Sequence, residues 1–150
     1  MIIVWDKSYE IGVAEVDRQH RELFARFDDL MVAIGDGEGS RVLQQLLGFL
    51  EEYAQFHFRD EEALMERCCY PLLSFHREAH NAFRTRLGEL ATLVDEHGAS
   101  PQLVVQAGRM LLRWLTDHVC GMDRDIGTFL QTGRSAWEDA ITGDASVAGR

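Results

Sequence analysis

An all-α fold, an antiparallel up-down-up-down four-helix bundle with an extended N-terminal arm, is predicted by three features of the sequence. Apolar residues recur at steps of three and four in four long runs, as they do on a helix with one buried face. Stretches bearing glycine or proline separate the runs at residues 35–39, 70–71 and 98–101, short enough to join antiparallel neighbours. No segment alternates apolar and polar residues as a half-buried strand would, and there is no internal repeat or low-complexity segment.

At 150 residues, 46% apolar and 27% charged, the chain suits one ordinary globular domain with a sizeable core. Lys and Arg number 15 against 25 Asp and Glu, a net charge of -10, which argues against a nucleic-acid surface. The opening MIIVWDKSYE is too short an apolar run for a signal peptide, and no stretch approaches the length of a membrane span, so a cytoplasmic location is the default expectation. Cys68, Cys69 and Cys120 form an odd, unevenly spaced set that reads as reduced thiols, not as a disulfide framework.

Residues 1–14 have no helical period and contain Trp5, Tyr9 and Gly12, which suits an arm laid over the bundle. The first helix shows from Asp17, with His20, Leu23, Phe24, Phe27, Leu30, Met31 and Ile34 on one face, and ends at the glycines of 35–39. Ser40 is a candidate N-cap for the second, whose stripe runs Leu43, Leu46, Leu47, Leu50, Tyr53, Ala54, His57, Glu61, Leu64 and Met65. Tyr70-Pro71 interrupts it; the third stripe is Leu73, His76, His80, Phe83, Leu87, Leu90 and Val94, closing at Gly98. The fourth, Val104, Ala107, Leu111, Trp114, Leu115, His118, Met122, Ile126 and Phe129, suits one helix of roughly 30 residues ending near Gly133. The domain is therefore set at 1–133. Residues 134–150 form a short polar C-terminal tail in which only Trp137 and Ile141 suggest a docked turn before a mobile end.

Chemistry concentrates between His57 and His80. His57 with Glu61, and His76 with His80, are each spaced i, i+4, so each pair projects from one helix face like a pincer. In an antiparallel bundle the late part of helix two lies level with the early part of helix three, and His20 and His118 come to the same end. Any one of these histidines alone would read as a core imidazole bonded to a neighbour. Five of them with Glu61 make that reading expensive, because so many buried polar groups need partners, and a metal supplies one. Asp123 is ambiguous on spacing: five residues past His118 puts it about 140° around an α-helix, within reach only if helix four is irregular or the carboxylate swings across. Asp125, two turns from His118, is too distant.

Five imidazoles and two carboxylates exceed the usual four ligands of one zinc, so two metals are expected. If Glu61 and Asp123 both bridge, the protein supplies five nitrogens and four oxygens. An oxide or hydroxide bridge adds a bond to each metal and leaves two octahedral ions with one open position. Imidazole with carboxylate and no thiolate suits iron, manganese or zinc, and of these a pair of irons performs reversible oxygen chemistry. HREAH lacks the glutamate of the HExxH zinc-protease motif, since Arg77 stands there, and the set is poorer in carboxylates than a ferritin-type site. Less anionic ligation favours binding over activation.

These motifs together resemble the hemerythrins, and more narrowly the single-domain bacterial type, the bacteriohemerythrins. The resemblance covers roughly residues 4–131 and rests on Trp5, VDRQHRELF around His20, HFRDEEALM around His57 and Glu61, YPLLSFHREAH around His76 and His80, and WLTDHVCGMD around His118 and Asp123. It implies a non-haem centre of two iron ions, oxo- or hydroxo-bridged, that binds dioxygen reversibly as a hydroperoxide. It also implies that one iron takes His76, His80 and His118, the other His20 and His57, with Glu61 and Asp123 bridging and the open position on the two-histidine iron. Leu23, Phe24, Phe56, Trp114 and Leu115 are candidates to line the oxygen pocket.

Two functions follow. The first is an oxygen-binding protein, not an enzyme, serving transport, storage or delivery to an oxygen-consuming partner. The second keeps the site but makes it a redox enzyme reducing peroxide or nitric oxide, or an oxygen or redox sensor read by a signalling partner. The absence of a second domain and of an evident acid or base near the pocket beyond the metal ligands favours the first.

Overall fold

The computed structural model describes residues 3–133. Four antiparallel helical limbs form the predicted bundle: α1 (Ala14–Gly35), α2 (Gly39–Arg67), α3 (Leu73–His97), and a fourth limb in three parts, α4 (Pro101–Arg113), a π-helical segment (Trp114–Asp123) and α5 (Arg124–Thr132). Successive limbs pack side by side and α4 closes the ring against α1. The tail, with Trp137 and Ile141, lies outside the described residues.

The helix ends follow local chemistry. At the end of α1, Gly37 adopts φ +77° while Glu38 N–H reaches back to the Ala33 carbonyl (2.7 Å) and Gly37 N–H to Ile34 (3.3 Å), a Schellman cap. The end of α2 repeats this with a cysteine in the glycine place. Cys69 takes φ +55°, its N–H donates to Glu66 (3.2 Å), and Tyr70 N–H donates to Met65 (2.9 Å). Tyr70 and Met65 then pack together in a small apolar cluster, as the motif favours. The expected Ser40 cap does not form: α2 begins at Gly39, with Glu38 in the capping place and no side-chain bond there, and the lack of a side chain at Gly39 lets Val104 approach. Ser100 does cap α4, its Oγ accepting from Leu103 N–H (3.3 Å), with Pro101 in the first turn. Ile34, expected on the buried face of α1, is exposed near that helix's end.

The arm is extended apart from one 3-10 turn, Lys7–Tyr9. Two devices hold it. Trp5, Tyr9 and Phe24 form an aromatic trio with centroids 5.4–5.9 Å apart. Asp17, almost fully buried, accepts from Ile11 N–H (2.8 Å) and Gly12 N–H (3.2 Å), so one carboxylate ties down two donors of the arm, the buried Ile11 N–H among them. Ile11 is thereby pressed onto α5 at Gly127, where a Cβ would lie 2.8 Å from the Ile11 Cα.

The main core, built from Leu30, Leu43, Leu50, Leu87, Leu90 and Leu111 among others, fills the bundle on one side of the histidine level. The second cluster, Met65, Tyr70, Ile126 and Phe129, closes the other side. Polar ligand candidates therefore lie between two dry layers.

Two substitutions test this packing in opposite directions. Gly127→Ala should destabilise the protein by about 1–3 kcal/mol through overpacking against the arm's backbone. Cys69→Gly should stabilise it by about 1 kcal/mol by removing the left-handed penalty on a residue with a side chain. Thermal and urea melts of both variants against the parent check the signs.

Candidate metal centre

Eight polar or charged residues are buried among the described residues, and seven of them meet at one place: His20, His57, Glu61, His76, His80, His118 and Asp123. They form two overlapping sets. Glu61, His76, His80, His118 and Asp123 can each offer a donor atom within 4.8 Å of all the others, and so can His20, His57, Glu61 and Asp123. Both carboxylates belong to both sets.

The oxygens divide accordingly. Glu61 Oε1 lies 2.7 Å from His76 Nε2 and 3.5 Å from His80 Nε2, while its Oε2 lies 2.7 Å from His57 Nε2 and 3.7 Å from His20 Nε2. Asp123 Oδ1 lies 2.9 Å from His76 Nε2 and 3.0 Å from His118 Nε2, and its Oδ2 lies 3.0 Å from His20 Nε2. Each carboxylate thus presents one oxygen to a three-histidine group and the other to a two-histidine group. Several of these atoms are close without being aligned as hydrogen bonds: His80 Nε2, His118 Nε2, Glu61 Oε2 and both Asp123 oxygens are buried and unpartnered. His20 Nε2 and His57 Nε2 face one another at 3.1 Å. Lone pairs converging in this way call for cations, and the donor set fits two of them.

The irregularity that Asp123 required is present. From Trp114 to Asp123 the fourth limb is π-helical, with i→i+5 closure, so residues five apart come to one face where in an α-helix they would diverge. His118 and Asp123 have that spacing. The continuous α-helix expected over this run is corrected by these ten residues.

Outer hydrogen bonds orient the rings, and sequence reasoning missed them. His57 Nδ1 pairs with Gln19 Oε1 at 2.5 Å, and Gln19 Nε2 is in turn held by Asp60 (3.1 Å) and Glu15 (3.2 Å). His80 Nδ1 pairs with Glu62 Oε1 at 2.8 Å, and Arg77 steadies the other Glu62 oxygen at 3.4 Å. An Nδ1–H given to an outer acceptor leaves Nε2 bare and aimed inward, which is the tautomer a metal ligand needs. The only signal was adjacency: Gln19 precedes His20, and Glu62 follows Glu61.

Of the apolar pocket candidates, Leu23 and Leu115 are fully buried, Phe24 is buried against Trp5 and Tyr9, and Trp114 stacks on His118 with centroids 3.7 Å apart. Phe56 is corrected: it is 45% exposed, with the Arg59 guanidinium over its ring. Ala54, His57, Phe58 and Glu61 share the inward face of α2 at steps of three and four, and Phe56 lies outside it. The aromatic that does face in is Phe58, stacked 3.9 Å from the His80 ring. A groove of about 350 Å³ between α3 and the π-helical segment, lined by Phe83, Met110, Trp114 and Met122 among others, reaches down to His118.

A family model, the hemerythrin HHE cation binding domain, matches residues 11–130. The chain belongs to the hemerythrin family. Similar relatives include a bacteriohemerythrin of Ralstonia nicotianae, 30% identical over 93% of this chain and 97% of that protein. A bacteriohemerythrin of Stenotrophomonas maltophilia is 29% identical over 82% and 78% respectively. A myohemerythrin of Theromyzon tessulatum is 28% identical over 79% and 86%. As a hemerythrin, the chain is in coarse terms an oxygen-binding protein of the non-haem di-iron class.

The electrostatics of the hemerythrin site show how strongly it attracts positive charge. Burial works against charging His20 and His76, yet the adjoining Asp123 and Glu61 carboxylates outweigh it and raise them to about 9 and about 10. Burial dominates at His57 and lowers it. Glu61 is held well below its ordinary range despite burial, by His57 and the other imidazoles. Asp123 is likewise lowered despite burial and Glu61, by His118 and His20. Without metal, protons supply the charge that cations would.

The signs give a pH profile for the metal-free protein. His20 and His76 are raised, so their contribution is complete below an unfolded value of about 6.5 and is lost as pH climbs through about 9–10. His57, Glu61 and Asp123 are lowered, so their contribution is lost as pH falls below about 6.5 and then below about 4. Urea midpoints should therefore peak near neutrality and fall on both sides. A profile flat from pH 6.5 to 10 would contradict the proton occupancy described here.

Proposed function

We propose that the chain holds two irons, one among His76, His80 and His118 and the other between His20 and His57, with Glu61 and Asp123 bridging, and that it binds dioxygen reversibly for transport, storage or delivery. The observation that carries this reading is the division of each carboxylate's two oxygens between the two histidine groups. Three imidazoles on one side and two on the other leave the two-histidine iron one ligand short, which is where a small molecule enters. When bound, the iron pair supplies the two electrons that oxygen binding borrows and returns.

The chain's own residues do the rest. Gln19 and Glu62 hold ring tautomers, while Leu23, Phe58, Trp114 and Leu115 exclude the water and protons that would make oxidation irreversible. The domain of residues 1–133 is sufficient for this function, and a cytoplasmic setting with an oxygen-consuming recipient suits it. No helix among the described residues is long and apolar enough to cross a membrane.

A second reading, reduction of peroxide or nitric oxide or redox sensing, is favoured by one observation. The sequence shows no evident proton donor near the pocket, but the Tyr53 hydroxyl is buried one helical turn from His57.

Elemental analysis of the purified protein should find two irons per chain, and the anaerobically reduced protein should gain a visible band with oxygen and lose it when oxygen is removed, over repeated cycles. Prompt irreversible oxidation supports the second reading instead. His57→Ala and Glu61→Ala should each lose most of the iron and melt below the loaded parent, since buried partners are left unpaired. Full iron content with an unchanged melting temperature in both variants would remove these residues from the centre.

A further inference from the structure

A hydroxyl stands beside the two-histidine group that no metal ligand uses. Tyr53 lies one turn before His57 on α2, its ring stacked on that imidazole with centroids 4.5 Å apart and planes 16° from parallel. It is 6% exposed, walled by Phe49 and Phe58, and its hydroxyl has no hydrogen-bond partner. Trp114 reaches the same region from the fourth limb, stacked on His118 and packed 5.4 Å from Phe58. Its indole N–H is buried and unpartnered as well, and both rings pack on Phe58.

Leaving a buried donor unpaired is costly, so two packed on one ring in an apolar wall form an unusual concentration. They cannot satisfy each other. If the indole N–H donates to the phenol oxygen, the phenol O–H still lacks an acceptor, and the nearest carboxylates, Glu61 and Asp123, are turned to the imidazoles. A donor-only wall is matched by a ligand whose outer atom is an acceptor.

We propose that Tyr53 O–H, with Trp114 N–H beside it, forms a hydrogen-bonding subsite that holds the outer atom of a small anionic or strongly dipolar ligand bound on the His20–His57 side. The inference rests on the reading of that side as the open metal position. It makes Tyr53 a specificity-determining residue: the subsite favours diatomic and triatomic ligands that carry negative charge at the far atom and gives nothing to those that do not, such as carbon monoxide. It also places a donor within the apolar lining, so the pocket is selective and not merely dry.

Tyr53→Phe removes the oxygen alone and keeps the stacked ring, so the variant should fold at least as well as the parent. Azide, titrated optically against the diferric protein, is the probe. The expected result is azide binding weakened about five- to tenfold, the equivalent of one hydrogen bond, with iron content unchanged and the metal-free urea midpoint equal or higher. Azide affinity within twofold of the parent overturns the subsite. So does a lower metal-free midpoint, which would make the hydroxyl a structural bond. A parent that takes up no iron or gives no azide-dependent band instead overturns the di-iron reading, and the subsite with it.

Discussion

Two carboxylates buried between apolar layers are the constraint on which the rest of this structure depends. Glu61 and Asp123 are wholly inaccessible, and a charge in such a place is tolerated only when its neighbours balance it. Five imidazoles are the balance, and they come from all four limbs because no single helix can present so many groups to one point. The bundle's topology, its loop lengths and the level at which each histidine enters its apolar stripe are consequences of bringing these seven side chains together. The same charge explains the opposing pulls on the histidines: His20 and His76, nearest the carboxylate oxygens of both residues, are drawn toward protonation, and His57 is left neutral by burial.

Helical periodicity reveals the parts of this arrangement that repeat. The i, i+4 pairs His57–Glu61 and His76–His80 are legible because α2 and α3 are regular there, and the apolar stripes carry the four limbs almost to their observed ends. His118 and Asp123 are not legible as a pair, because α-helical geometry sends them apart. Only the π-helical turn between them rejoins them, and the resemblance of WLTDHVCGMD to a known motif, not its period, points to Asp123. The pocket candidate Phe56 fails because adjacency to His57 does not fix a face: Phe58, four residues after Ala54 and three before Glu61, is the neighbour that turns inward.

Residues that act through others are hardest to see from sequence. Gln19, Glu62 and Asp17 look like the solvated polar flank of an amphipathic helix, which Glu15 and Glu66 nearby in fact are. Their roles come from partners distant in sequence: His57 for Gln19, His80 for Glu62 and, more locally, the arm's Ile11 and Gly12 for Asp17. Tyr53 is concealed differently. It occupies a core position of the α2 stripe, where an aromatic ring is expected, and only its unpartnered hydroxyl separates it from a phenylalanine.

The outer shell also distinguishes the two halves of the centre. His80, in the three-histidine group, gives its outer proton to the Glu62 carboxylate, whereas His57, in the two-histidine group, faces the neutral amide of Gln19. An imidazole backed by a carboxylate is the more basic ligand, so a metal held in the three-histidine group would be the more electron-rich one. In the proposed centre the position one ligand short would keep the weaker donor, the stronger Lewis acidity and the nearby phenol. In the proposed centre both effects would favour an incoming ligand that donates a lone pair to the metal and accepts a hydrogen bond from the protein, on the His20–His57 side.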